Sequence, residues 1–302
     1  MITKLKLIEE INVGNILGES IVWDDRDNSL WWTDIIAKKL FHYDWNNKKL
    51  NTFNTPERLC SFGLTSTVGE LIAAFETGIC IYEPYLEKSN INWMFRPFTI
   101  NCGIRFNDGR IDRNGRFWVS TMIESDSCDA KLESGLYSIT SSGVVNKHFS
   151  NFSIGNSLAW SVNSQAMYFS DSMAQTIWKF KFDAISGAVS SREVFVKTPE
   201  NAFPDGADIA NDNHLYCTNW GDSSISNYNE LGEEHERYLL PVTQPTCLAF
   251  GGKTKELLFV TSASYELSPE QLSEQPSAGN VFVFQSKTPG LAANIFGESQ
   301  NV

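Results

Sequence analysis

Histidine is scarce in this chain. Only 4 of 302 residues are His, scattered as His42, His148, His214 and His235, so a His-dependent catalytic triad has little support. The six cysteines, Cys60, Cys80, Cys102, Cys128, Cys217 and Cys247, form no C-x-x-C pair and have no His at zinc spacing. Neither a thiolate metal site nor a small disulfide scaffold is indicated, and buried free thiols are expected. Basic residues are also few: 24 Lys and Arg against 36 Asp and Glu leave a net charge of -12. Nucleic acid and anionic membranes, which need a basic stripe, are not the expected partners, and a cation is the more natural guest. Acidity spread over the surface for solubility accounts for the same number. Residues 1–15 lack the apolar block of a signal peptide, and no stretch reaches transmembrane length, so a soluble cytoplasmic protein is expected.

What the chain does have is aromatic residues and repetition. Phe, Trp and Tyr make up 13% of it, a composition that favours strands. A short alternating apolar run ending in a small or polar residue is followed, after a polar turn, by a second run. The pairs are 30–34 with 40–44, 71–75 with 79–82, 117–121 with 135–139, 167–171 with 177–180, 215–219 with 225–228, and 258–262 with 281–284. Six copies at roughly 40 to 50 residues match four-stranded propeller blades. Turn signals such as Asn46-Asn47, Asn114-Gly115 and Ser186-Gly187 punctuate them, and helical periodicity is never sustained. A β-helix repeats at shorter intervals, and a sandwich would not copy a two-hairpin unit six times. The expectation is all-β: one domain over residues 1–302, a six-bladed β-propeller with each blade a four-stranded antiparallel sheet. The polar segment after Phe284 is expected to fray.

Familiar catalytic signatures are missing. There is no G-x-S-x-G, G-x-G-x-x-G or H-E-x-x-H. Gly252-Lys-Thr254 ends like a phosphate-binding loop, but Cys247 stands where its first glycine belongs, and the segment reads as a turn. Asp25-Arg-Asp27 opens like a calcium loop, but Leu30 replaces the required glycine. The remaining candidates precede the blades' first strands, where loops line the axial mouth. Leu17-Gly-Glu19 is followed by Trp23 and Ile154-Gly-Asn156 by Trp160 at the same distance, while Phe203-Pro-Asp205 supplies a second carboxylate. Two carboxylates and an amide form a hard oxygen set suited to Ca2+, Mg2+ or Mn2+. Capping turns is nonetheless the commoner job of Asp and Asn, and spacing alone favours it. A further cluster spans Arg105, Asn107, Asp108, Arg110 and Asp112. Two turns, Asn107-Asp-Gly109 and Asp112-Arg-Asn-Gly115, account for part of it and leave Arg105 and Asn107 over.

Leu17-Gly-Glu19, Arg105-Phe-Asn-Asp-Gly-Arg110, Asn156-Ser-Leu-Ala-Trp160, Tyr168-Phe-Ser-Asp171, Pro204-Asp-Gly206 and Pro241-Val-Thr-Gln-Pro-Thr246 resemble, in order, the motifs of the SMP-30/gluconolactonase/regucalcin-like family. The likeness spans about residues 15 to 285 and implies a six-bladed propeller holding one divalent cation (Ca2+, Mg2+, Mn2+, Zn2+ or Fe2+). Glu19, Asn156 and Asp205 take the ligand positions. The implied activity is hydrolysis of a small sugar lactone to the aldonic acid, with Asp205 as general base and Arg105, Asn107 and Glu124 facing the substrate. Ser125 is the alternative to Glu124. A non-catalytic calcium-binding propeller and a metal-dependent organophosphate or aryl ester hydrolase are the competing expectations. Three departures stand out. Ser20 and Ser157 replace glycines beside ligands, predicting a narrower pocket or a less permissive backbone, and Asp208 is charged where family members usually are not.

Overall fold

Alternating runs bury one row of side chains against each neighbouring sheet, and here both rows are covered. The strand Ser29–Asp34 is buried along its whole length, Trp31 and Trp32 included. The computed structural model describes residues 2–86, 91–124 and 133–299. Its strands form six small sheets, antiparallel from each blade's innermost strand to its outermost, arranged as a six-bladed β-propeller. The repeated pairs are the second and third strands of the blades. The innermost strands come before them: Gly18–Asp24, Leu59–Thr65, Ile104–Ile111, Gly155–Trp160, Phe203–Ile209 and Pro245–Gly251. Glu19, Arg105, Asn107, Asn156 and Asp205 therefore sit within innermost strands, where loops were expected.

Adjacent blades meet through aromatic faces. Trp23 of the first stacks on Phe259 of the sixth at 5.3 Å, Trp118 of the third meets Trp160 of the fourth at 5.8 Å, and Tyr216 of the fifth meets Phe250 of the sixth at 5.2 Å. Truncating such a ring to alanine costs about 3–5 kcal/mol. Hydroxyls staple the blades near the axis: Thr33 donates to the Leu59 carbonyl at 3.0 Å, Ser120 to Gly155 at 2.6 Å and Ser157 to Asp205 at 2.6 Å. Thr33 and Ser120 stand next to last in their repeated runs, where a buried carbonyl of the next blade needs a donor.

Both chain ends help close the ring. Lys6–Ile11 pairs antiparallel with Val281–Gln285 as the outer strand of the sixth blade. The segment after Phe284, expected to fray, is built in as far as it is described: Ile295 and Phe296 pair in parallel with Leu64 and Thr65, and the Gly297 amide donates to Gly115, while residues 300–302 lie outside the described residues. Its backbone groups find partners across the axis, which is what a short polar tail needs to stay ordered. Among the described residues one short helix, Pro269–Glu274, is capped by Ser268 and Gln271. Cys60, Cys80, Cys217 and Cys247 are buried free thiols and Cys102 is half-buried; Cys128 and Ser125 lie outside the described residues.

Candidate functional site

Every innermost strand breaks register with its neighbour near its start, within one residue of the same depth. A bulge of this kind turns side chains out of the regular alternation. Glu19, opposite Thr33, and Asn156, opposite Ser170, each stand immediately before the bulge, so they occupy equivalent places in the first and fourth blades. In the fifth blade Pro204 pairs with Asn219 as Gly18 does with Asp34 and Gly155 with Asp171, so Asp205 follows at the same place as Glu19 and Asn156, already inside the bulge. Asn107 and Asp108 form the bulge of the third blade, so Asn107-Asp-Gly109 is not the turn its composition suggested. Gly18 and Gly155 allow the close approach. A Cβ on Gly18 would lie 2.8 Å from the Ser262 carbonyl, and one on Gly155 2.6 Å from Ser120.

The bulges gather Glu19, Asn156, Asp205, Arg105, Asn107 and Glu124 around one cleft of about 360 Å³. All six residues singled out from sequence line it. The wall between them is largely apolar, with Ile36, Met173, Phe203 and Trp220 among its members. Asp205 and Asn156 are buried and Glu19 is half-buried. Withdrawal from water pushes the Glu19 carboxyl up to about 8, with the Asp108 charge adding to the rise. Burial, then the charges of Glu19 and Asp108, hold Asp205 well above the usual carboxylate range. Two carboxylates that repel each other in a poorly hydrated place, with no Lys or Arg ion-paired to either among the described residues, suit a divalent cation, whose charge reverses both shifts. Among the described residues no three His, Cys, Asp or Glu side chains gather as a metal cluster. The third oxygen is the Asn156 amide, a donor suited to hard cations.

A hydrogen-bond chain orders the polar side of the cleft. Arg105 Nε donates to Glu124 at 3.1 Å and its Nη1 to Asn107 Oδ1 at 2.8 Å. Asn107 Nδ2 donates to Asn156 Oδ1 at 2.9 Å, Asn156 Nδ2 to Ser172 at 2.8 Å, and Ser172 to the Pro204 carbonyl at 2.7 Å. This fixes the amide orientation of Asn156 and leaves its oxygen one further lone pair. Sequence reasoning missed Ser172 and also Arg58, which grips both oxygens of Glu124 at 2.7 and 2.8 Å. Neither carries a local signal, since their partners lie far along the chain.

The three departures resolve structurally. Ser20 and Ser157 hold left-handed backbone, φ 51° and 58°, where glycine is the usual occupant. Neither narrows the cleft. Ser20 Oγ accepts from the Phe62 amide at 3.0 Å, and Ser157 Oγ reaches Ser170 and the Asp205 carbonyl. Asp208 faces a separate channel further along the same six strands, paired with Arg110 at 3.2 Å.

Fold and site define a class: six-bladed propellers with an acidic cleft on the axis. The chain belongs to the family described as SMP-30/Gluconolactonase/LRE-like region, which matches residues 17–264. It is 30% identical to L-arabinolactonase of Azospirillum brasilense, covering 93% of this chain and 92% of that one. It is also 30% identical to human regucalcin, covering 88% and 89%. Among solved structures, a calcium-binding regucalcin from Agrobacterium tumefaciens shares the fold with a TM-score of 0.88 at 23% identity, covering 97% and 99% of the chains. A gluconolactonase from Xanthomonas campestris shares it with a TM-score of 0.71 at 15% identity, covering 94% and 91%.

Proposed function

We propose that the chain works as one domain that hydrolyses a small sugar lactone to its aldonic acid with the help of a divalent cation. The observation that carries this is the convergence of Glu19, Asn156 and Asp205, from three blades, on one cleft without a cationic side chain paired to either carboxylate among the described residues. These three residues would hold the cation. When bound, the cation supplies a Lewis acid for the lactone carbonyl. Asp205 is the general base, taking a proton from the attacking water on a carboxylate oxygen. Arg105 and Glu124 offer a donor and an acceptor to ring hydroxyls, while Asn107 holds Asn156 in orientation and keeps one lone pair of Oδ1 for the substrate. The apolar wall excludes water from the developing charge.

The similarity to an arabinolactonase over nearly the whole chain supports the lactone reading, and the regucalcin relatives support a cation. One observation favours a second reading, an aryl ester or organophosphate hydrolase. Met173 is 59% exposed at a mouth otherwise walled by Phe203 and Trp220, a surface on which an aromatic leaving group would rest. The deciding experiment measures acid release from pentono- and hexono-lactones and from aryl esters, with cation added and chelated. Cation-dependent turnover of the aldono-lactones is expected. Turnover that survives rigorous cation removal would sink the mechanism, and cation binding without any turnover would leave a calcium-binding propeller.

A further inference from the structure

Five blades line the cleft with side chains. The second, whose four strands are Leu59–Thr65, Leu71–Phe75, Ile79–Tyr82 and Asn92–Phe95, contributes none among the described residues. It reaches the site through Arg58, the residue just before its innermost strand. Arg58 lies between two carboxylates: Nε and Nη2 donate to Glu76 at 3.0 and 2.8 Å, and Nη1 and Nη2 donate to Glu124 at 2.7 and 2.8 Å. Glu76 is buried and also accepts from the Arg58 backbone amide at 3.2 Å, so the clamp is anchored on the second blade at its root. The Arg58 side chain is 17% exposed, enough desolvation for a bidentate pair to hold a fixed geometry.

We propose that Arg58 is a positioning residue for substrate recognition, setting Glu124 and through it Arg105 at the cleft rim. Glu124 receives a guanidinium from either side. Burial works against its charge, and the Arg58 hydrogen bonds with the Arg105 charge outweigh burial and hold its carboxyl below the ordinary range. Ionised, Glu124 only accepts, and its two oxygens retain capacity beyond the three bonds they receive. A hydroxyl-bearing substrate is the ligand such an acceptor suits. Without Arg58, the one remaining partner is Arg105, and the pair is free to fold onto itself and withdraw both groups from the substrate.

This role rests on the lactonase reading for its kinetic arm and on geometry alone for its structural arm. Wild type, Arg58→Ala and Arg58→Lys are compared for kcat and KM on aldono-lactones, for cation affinity by calorimetry, and for the Glu124 carboxyl pKa by carbon-detected NMR. Arg58→Ala is expected to raise KM about tenfold with kcat within about twofold, to leave cation affinity unchanged and to raise the Glu124 pKa. Arg58→Lys, which keeps a charge but loses the fork, restores part of each change. An unchanged KM, or kcat and cation affinity falling together with it, overturns the proposal. If wild type turns over no lactone, the functional reading fails on its own and the NMR arm decides: an unmoved Glu124 carboxyl overturns the positioning role, and a raised one that lysine lowers again supports it.

Discussion

The cleft takes side chains from four of the six innermost strands that line the channel beyond it, yet the two treat charge in opposite ways. In the cleft, Glu19 and Asp205 repel each other with no Lys or Arg among the described residues ion-paired to either. In the channel, of about 70 Å³, Arg110 is matched by Asp208 and Arg113 donates to the Val162 and Trp160 carbonyls. The C-terminal segment closes the channel, with Asn294 donating to the Ile111 carbonyl at 2.7 Å. Uncompensated charge costs stability and is kept where a ligand completes it, whereas compensated charge fastens the scaffold.

The comparison breaks most sharply at Asp205. Asp205→Ala is expected to abolish cation binding in calorimetry and lower turnover about a thousandfold. The cation-free variant should melt no lower than cation-free wild type, because a repulsion with Glu19 has gone. A clearly lower melting temperature would mean Asp205 is structural. Deleting residues 289–302 attacks the other end. It removes Phe296, the Pro289 carbonyl that accepts from the Asn211 amide, and the bonds donated by Gly290 and Asn294, so a loss of about 3 kcal/mol or more in urea melts is expected, with cation affinity changed less than about threefold.

The pH dependence separates the two regions again. The Glu19 carboxyl is raised from 4.5 to about 8 in the cation-free protein, so its favourable contribution is complete below 4.5 and is lost as pH rises through about 8. Thermal melts of chelated protein should fall across that window, and cation affinity should climb as protons leave. Flat melts beside flat affinity would refute the assignment of Glu19. Asp208→Asn should weaken the fold by about 1 kcal/mol, modest because the pair is partly exposed, and leave the cleft's cation affinity intact. Smallest of all, Ser20→Gly relieves left-handed backbone but loses the bond from Phe62, and a net change within about 1 kcal/mol is expected from denaturant titration.

Much of the site was legible because each proposed ligand carries a local mark. Gly18-Glu19 and Gly155-Asn156 share a spacing to Trp23 and Trp160, and the bulges place both alike. Asp205 was found by its Pro-Asp-Gly, though the bulge that holds it was not visible, since a bulge adds a residue without changing composition. The Asn107-Asp-Gly109 segment misled for the same reason. Its residues are those of a turn, and only pairing with Thr121 and Val119 shows that the strand runs through it.

Alternating apolar runs, recurring six times between turn residues, determined that the chain is all-β and propeller-like, because strand periodicity and turn chemistry are local properties. Only the closed ring decided which carboxylates converge without partners and which are paired. The bonds that sort them, Arg58 to Glu124 across 66 residues, Asn107 to Asn156 across 49 and Thr246 to Gly18 across 228, exist only once the blades have met around one axis.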